Sequence, residues 1–353
     1  MIKQTSQKTE LECIMPWKAL YMDECNGKVA ALPCCAGWVN TTYGNIGSAT
    51  LQELWNSEGA QHIRKLIAAG RLREICNPHC SFLLSGRHGE NTLRIIDGSS
   101  EFIENQRINL DEIRQRKSVL CSLPMLLRVV PSLQCNLRCT MCFQCSYDAA
   151  GLDGGTWHEI KELLPYTHEI TFQGGEAAIN KDFRNFLDSQ SLRMHSHVLI
   201  SLITNGTVLD AGLQKSLARV KLNFITVSLN AASRETYAKI TGKDFFDRVL
   251  GNLKKLKELT SNHPSGKFNL RVSFVVMRSN YKELPMFLHL AEELGIEVQL
   301  LQIIGNRNNE DVFSLSDEHM AFGCVLDEAS KFATGTAKEQ VERIRMILNS
   351  YVC

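Results

Sequence analysis

The sequence predicts an α/β fold: an open, partial barrel of six strand–helix units, with a small cysteine-rich module ahead of it. Three observations point there. Apolar strand-like runs at 126–130, 170–172, 198–203, 224–229, 270–276 and 298–303 alternate with amphipathic helical stretches such as 247–259 and 283–294. That order implies a parallel sheet with right-handed crossovers. Six units fit an open barrel better than a closed one of eight, which takes about 250 residues. The thirteen cysteines are unevenly spread: Cys13, Cys25, Cys34, Cys35, Cys76 and Cys80 lie early, and Cys121, Cys135, Cys139, Cys142 and Cys145 fall mid-chain.

Composition narrows the function. The 353 residues are 44% hydrophobic and 22% charged with a formal charge of +1, a balance with no whole-chain field for nucleic acid or an anionic membrane. No apolar run reaches the roughly 18–20 residues of a membrane helix. The start, MIKQTSQKTELEC, lacks the apolar segment of a secretory signal, so a cytoplasmic location is expected. Clustered thiols in a reducing compartment bind metal or do redox chemistry more often than they form disulfides.

Taken in order, residues 11–85 form the cysteine-rich module. The runs 17–24 and 28–33 flank Asn26-Gly27, a dipeptide suited to a two-residue hairpin turn. Thr50 and Glu53 have capping-box spacing for a short helix through Trp55. A second helix follows with Ala60, Ile63, Leu66 and Ile67 on one face and Gly70 as its stop. So small a module gains from a metal staple. Residues 86–122, polar and carrying Gly86, Gly89 and Gly98, read as a linker or bridging segment. The barrel spans 123–305 and a helical tail 306–353, which holds only Cys324 and Cys353.

The loop after the first barrel strand reads Pro131-Ser132-Leu133-Gln134-Cys135-Asn136-Leu137-Arg138-Cys139-Thr140-Met141-Cys142. Its thiols emerge at the C-terminal mouth, where barrel active sites form. Thiolates are iron–sulfur ligands, and three of them leave one corner of a four-iron cluster open, as catalysis requires. A structural zinc would want a fourth ligand, which Cys145 could supply. The run Cys139-x2-Cys142-x2-Cys145 also starts like a ferredoxin, but the next ligand would fall at Ala149.

The CxxxCxxC spacing within CNLRCTMC resembles the signature of the radical S-adenosylmethionine (SAM) superfamily. Gln173-Gly174-Gly175-Glu176, Thr204-Asn205-Gly206 and Ser228-Leu229-Asn230 are similar to further motifs of that family, each at the end of a strand. The resemblance implies a partial (β/α)6 TIM-like barrel, with a [4Fe-4S] cluster on Cys135, Cys139 and Cys142. It implies SAM contacts from Met141, Gly174, Gly175, Glu176, Ser228 and Asn230. Glycine lets the backbone approach a ligand, and the soft thioether of methionine suits an adenine ring. A turn is the plain alternative for the glycines, a core position for Met141 and an exposed acid for Glu176. The family often has Asp where Asn230 stands. Arg278 and Asn280 are weaker carboxylate-binding candidates, and a solvated surface role suits Arg278 better. The implied reaction is reductive cleavage of SAM to a 5′-deoxyadenosyl radical, fed by a low-potential donor such as flavodoxin or ferredoxin.

The module from Cys13 to Cys80 resembles a SPASM or twitch domain, which implies a second, auxiliary [4Fe-4S] cluster on Cys13, Cys34, Cys76 and Cys80. Structural zinc and unligated core cysteines are the alternatives. Cys34 is favoured over Cys35 because neighbouring side chains on a strand face opposite ways; Cys25 and His79 are not needed. In most such enzymes this domain follows the barrel, whereas here it precedes it. The expected function is hydrogen abstraction from a peptide or small metabolite, and the short stretch before Cys13 counts against a leader-guided peptide. A radical SAM methyltransferase and a zinc-stapled binding or regulatory protein are the competing readings. The barrel mouth has no obvious basic lining in the sequence.

Overall fold

The computed structural model describes residues 11–25, 28–35, 38–80, 84, 95–142, 144, 151–304 and 307–352. The Asn26-Gly27 turn, Gly86, Gly89, Cys145 and Cys353 lie outside the described residues. The strands are β1 (Ala19–Cys25), β2 (Lys28–Leu32), β3 (Gly44–Asn45), β4 (Leu126–Val129), β5 (Glu169–Phe172), β6 (Leu199–Thr204), β7 (Leu222–Ser228), β8 (Asn269–Val276) and β9 (Glu297–Gln302). They form one sheet in the order β3-β2-β1-β4-β5-β6-β7-β8-β9. From β4 to β9 every neighbour is parallel and in sequence order, the six-strand partial barrel.

Each barrel strand is two-faced. Phe172 of β5 packs on Phe183 and Phe186 of the helix Lys181–Leu187, and Phe274 of β8 packs on Phe287 of the helix Leu284–Leu294. Residues one step along face the other way, into the lumen. Register puts Arg128, Thr171 and Ser201 side by side there, and Thr226 beside Arg271. The lumen is therefore polar while the helix-facing side is apolar.

The N-terminal module is continuous with this sheet. β1 pairs in parallel with β4, Tyr21 opposite Arg128. Trp17, expected at the start of a strand, instead sits in a one-turn helix, Met15–Lys18, begun by Pro16; proline's fixed φ suits a first helical turn. The Thr50–Glu53 capping box is formed, and the helix Glu58–Ala68 is followed by Gly70 at φ 71°.

Residues 86–122 contain a helix, Ser100–Arg114, which buries the polar Asn105, Gln106, Asn109 and Glu112 beside the apolar Phe102, Leu110 and Ile113. Asn109 donates to the Trp17 carbonyl, Asn105 exchanges two hydrogen bonds with Leu123, and Glu112 accepts from Cys121 N and Ser122 Oγ. The Asn109 bond fastens this helix to the N-terminal module, the Asn105 pair fastens it to the start of the barrel, and the Glu112 bonds close the segment on itself. Leaving such a buried group unpaired would cost about 1–3 kcal/mol.

The tail forms the helices His319–Phe332 and Gly335–Val352. The second covers the outer edge of β9: Gln340 Oε1 accepts from Leu300 N at 3.2 Å, and Arg343 donates to the Leu300 carbonyl. Satisfying an edge in this way removes a template for stray strand pairing. The same helix reaches the N-terminal module, where the His79 ring stacks on Tyr351 at 3.8 Å and its Nδ1 lies 3.2 Å from Ser350 Oγ. The C-terminal helix thus touches both β9 and the N-terminal module.

Candidate active site

The three-cysteine loop is docked from two sides. Arg138 N and Thr140 N donate to the carbonyls of Thr241 and Ile240, at the end of the helix Arg234–Thr241. On the other side lies the Gly174–Gly175 turn after β5. Glu176 N donates to the Gln134 carbonyl at 2.8 Å, and Gly175 N donates to Gln144 Oε1 at 3.1 Å. Both glycines have positive φ, 85° and 50°. A Cβ on Gly174 would stand 2.5 Å from Val130, and one on Gly175 would stand 2.1 Å from the Gln134 oxygen. The glycine pair is what lets this turn touch the loop.

The half-buried thiols of Cys135, Cys139 and Cys142 lie in one another's electrostatic reach. Burial, then Cys142 and Cys135, push the Cys139 thiol up to about 12, and burial likewise raises Cys135. Three such thiols ionise together only with a cation among them, and an iron–sulfur cluster supplies that charge. Cys135 Sγ already accepts from Leu137 N at 3.4 Å and Asn205 Nδ2 at 3.8 Å. Among the described residues, no three His, Cys, Asp or Glu side chains gather closely enough for a single metal ion. Thiolates around a multi-iron cluster stand further apart than ligands around one ion.

The expected SAM-contact residues divide. Met141 is half-buried at the edge of the core beside the loop, and Ser228 lies on the lumen face, 3.4 Å from Ser273 Oγ. Glu176 turns inward and is 1% exposed, so it is no surface acid. Its carboxylate accepts from Thr204 Oγ1 and Asn205 N, each at 2.6 Å, and from Ala178 N at 3.0 Å. Burial raises its pKa against those three bonds. Asn230, at φ 59°, spends its side-chain oxygen on Val275 N at 2.8 Å. Asn280 is likewise buried and bonds to Asn230 O, Val275 O and Met277 N, while Arg278 pairs with Glu318 at 3.2 Å. Glu176, Asn230 and Asn280 thus brace the strand ends.

Asn205, Asn136 and Gln144 received no role from the sequence, yet they frame the loop. Asn205 Nδ2 donates to Asn136 Oδ1 at 2.8 Å, and Asn136 Nδ2 donates to Thr207 Oγ1 at 2.8 Å. The Thr204-Asn205-Gly206 motif was the available signal. Arg128 was also missed: it puts a basic group on the lumen face of β4, opposite Tyr21 and Thr171. An arginine at an inward position of an otherwise apolar strand was its sign.

At the N-terminal module, Cys13 feels Cys80, Cys76 feels Cys13 and Cys80, and Cys34 feels Cys13, so these four thiols share one neighbourhood. Burial pushes Cys13 up to about 11 and Cys76 up to about 12. Cys35 is held low, first by a hydrogen bond from Cys34 and then, against burial, by Arg128. β2 ends at Leu32, so the pair lies beyond the strand and strand alternation is not what separates the two thiols. His79 is engaged by Tyr351 and Ser350.

A three-thiol loop at the mouth of a six-stranded partial barrel, with a second four-thiol group beside it, defines a class of iron–sulfur protein. Residues 129–291 match the family described as "Radical SAM superfamily", and residues 13–81 match SPASM, the "Iron-sulfur cluster-binding domain". The chain thus carries a radical SAM domain with a SPASM domain ahead of it. Its cofactors are accordingly a [4Fe-4S] cluster with SAM and an auxiliary iron–sulfur cluster.

Among curated proteins it is similar to "Probable GTP 3′,8-cyclase" of Saccharolobus islandicus, 29% identical over 187 residues, covering 50% of this chain and 56% of that protein. The protein of the same description from Metallosphaera sedula is 27% identical over 183 residues, covering 50% and 55%. The matched region spans about half the length of these relatives. Streptococcus suis SuiB shares the fold. Its structure bound to S-adenosylmethionine has a TM-score of 0.50 at 16% identity, over 80% of this chain and 62% of SuiB. No helix among the described residues is long and apolar enough to cross a membrane.

Proposed function

We propose that this chain cleaves SAM reductively at a [4Fe-4S] cluster held by Cys135, Cys139 and Cys142, and abstracts hydrogen from a peptide or small metabolite in the barrel lumen. The observation that carries it is the docking of the three-thiol loop on the Gly174–Gly175 turn, which keeps Cys135, Cys139 and Cys142 within one another's electrostatic reach. When bound, the cluster and SAM supply one-electron cleavage of the sulfonium and a 5′-deoxyadenosyl radical.

The remaining work falls to the side chains. Asn205 donates toward Cys135 Sγ and, with Asn136, fixes the loop's first ligand. Glu176 holds the Asn205 backbone in place. The carbonyls of the glycine turn suit a SAM ammonium, Met141 suits an adenine face, and Ser228 suits a ribose or carboxylate. Thr171, Ser201, Thr226 and Ser273 give the lumen a polar lining that suits a polar substrate. The name of the curated relatives makes a nucleotide one candidate small metabolite. Cys13, Cys34, Cys76 and Cys80 would hold the auxiliary cluster. A flavodoxin or ferredoxin would supply the electron, in the cytoplasm.

Anaerobic reconstitution tests this reading. About eight irons per chain, two four-iron clusters, are expected, with 5′-deoxyadenosine formed on adding dithionite and SAM. Zinc bound in place of iron, with SAM left intact, would overturn it.

A further inference from the structure

The helix that docks the three-cysteine loop carries a buried hydroxyl with nothing to bond. We propose that Tyr237 donates its phenolic hydrogen to a sulfur at the Cys139 corner of the central cluster and so raises the reduction potential of that cluster. This rests on the reading of the central site given above. Tyr237 lies in the helix Arg234–Thr241, whose last carbonyls, Ile240 and Thr241, accept from Thr140 N and Arg138 N on either side of Cys139. Tyr237 is 0% exposed, its ring lies 5.8 Å from that of Phe246, and its hydroxyl has no hydrogen-bond partner among the described residues. A phenol at neutral pH is a donor, and burying it unpaired costs about 1–3 kcal/mol.

The other polar groups around this hydroxyl are already engaged. The Thr241 hydroxyl bonds to the carbonyls of Tyr237 and Lys243, Asp244 pairs with Arg234, and Glu176 accepts from Thr204, Asn205 and Ala178. Of the charged groups that act on the phenol, Cys139 acts most strongly. Cys139 also differs from its two companions. Cys135 Sγ accepts from Leu137 N and Asn205 Nδ2, and Cys142 Sγ lies 3.6 Å from Gln144 Oε1. Among the described residues, Cys139 Sγ has no hydrogen bond from another residue. An unpaired donor and a ligand without one thus share this side of the loop. A reduced cluster carries more negative charge, so a hydrogen bond to its sulfur favours the reduced state.

The test uses the full chain, reconstituted anaerobically, with iron content and a redox titration followed by electron paramagnetic resonance as readouts. The central signal is the one that Cys135→Ala removes. Tyr237→Phe keeps the ring and loses only the hydroxyl. It should hold about eight irons and lower the midpoint potential of the central cluster by about 59 mV, a tenfold change in a one-electron equilibrium. The auxiliary cluster should not move. After exchange into deuterated water, electron–nuclear double resonance should show a deuteron coupled to the wild-type central cluster that Tyr237→Phe lacks. Placing 3-fluorotyrosine at position 237, a more acidic donor of nearly the same shape, should move the potential upward.

Thr140 Oγ1 is likewise buried without a partner, beside Cys139 in the loop itself, so Thr140→Val is the comparison. It should leave the potential where it is. An unchanged potential in Tyr237→Phe, a shift in Thr140→Val instead, or an equal shift of the auxiliary signal would each overturn the proposal. Cys135→Ala distinguishes the levels. If it loses no iron, the central site itself is misread and the Tyr237 contact falls with it. If it loses about four irons, only that contact is at stake.

Discussion

The Glu176 carboxylate accepts from the backbone N–H of Asn205 at 2.6 Å, and Asn205 in turn donates through its side chain toward Cys135 Sγ. A buried acid after the second barrel strand thereby sets the position of a thiol after the first.

Glu176→Ala should cost about 2–3 kcal/mol of stability, since it leaves Asn205 N and Thr204 Oγ1 without their charged acceptor. Glu176→Gln keeps most of the geometry and separates the charge from the shape. Burial raises the folded-state pKa of Glu176, so between its unfolded and folded values the native state holds more protons. Its contribution to stability is therefore full at low pH and is lost as pH rises through the folded value. The melting temperature of the wild type relative to Glu176→Gln should fall as pH rises from about 4. A flat difference across that range would refute the charge argument.

Gly175→Ala places a methyl against the Gln134 carbonyl in a left-handed backbone. It should push the loop from the turn, and iron at the central site should be lost while the auxiliary signal stays. Gly70→Ala provides the contrast, having positive φ but open space around its Cβ, so only the backbone cost of about 1–2 kcal/mol applies. Denaturant melts and iron analysis of the two variants check this.

Asn205→Ala removes the contacts to Cys135 and Asn136 but no thiol. Groups that orient a ligand from behind typically change metal affinity by about 10–100-fold. Iron should be lost to a chelator faster from the central site of this variant, with the auxiliary site unaffected. Equal rates of loss in variant and wild type would contradict the role.

Tyr351→Ala removes the ring stacked on His79. Aromatic pairs of this kind contribute about 0.5–1.5 kcal/mol beyond the area they bury. Faster hydrogen exchange is expected both in the helix Gly335–Val352 and around Cys76–Cys80, because the contact joins them. Exchange confined to the helix would show that it does not fasten the module.

The barrel strands were legible because each buries alternate apolar residues against helices, as Ile170 and Phe172 do on β5. The helix Ser100–Arg114 was not, since four of the residues it buries, Asn105, Gln106, Asn109 and Glu112, are polar and read as surface, which masks the apolar stripe of Phe102, Leu110 and Ile113. The cysteine loop and the glycine turn could be located from spacing, but the direction of the Glu176 carboxylate could not. It depends on donors 28 and 29 residues away. The preference for Cys34 over Cys35 rested on strand alternation, but β2 ends at Leu32, before the pair. The parallel pairing of β1 with β4 had no sequence signal, because it joins segments separated by about a hundred residues.

The most direct measurement is the electron paramagnetic resonance spectrum of the reduced protein before and after SAM is added, in a Cys13→Ala variant that keeps only the central cluster. A shift in the g-values is predicted, because the ligand enters the coordination sphere of an iron with no cysteine of its own. A four-iron signal that ignores SAM would mean that every corner is already filled.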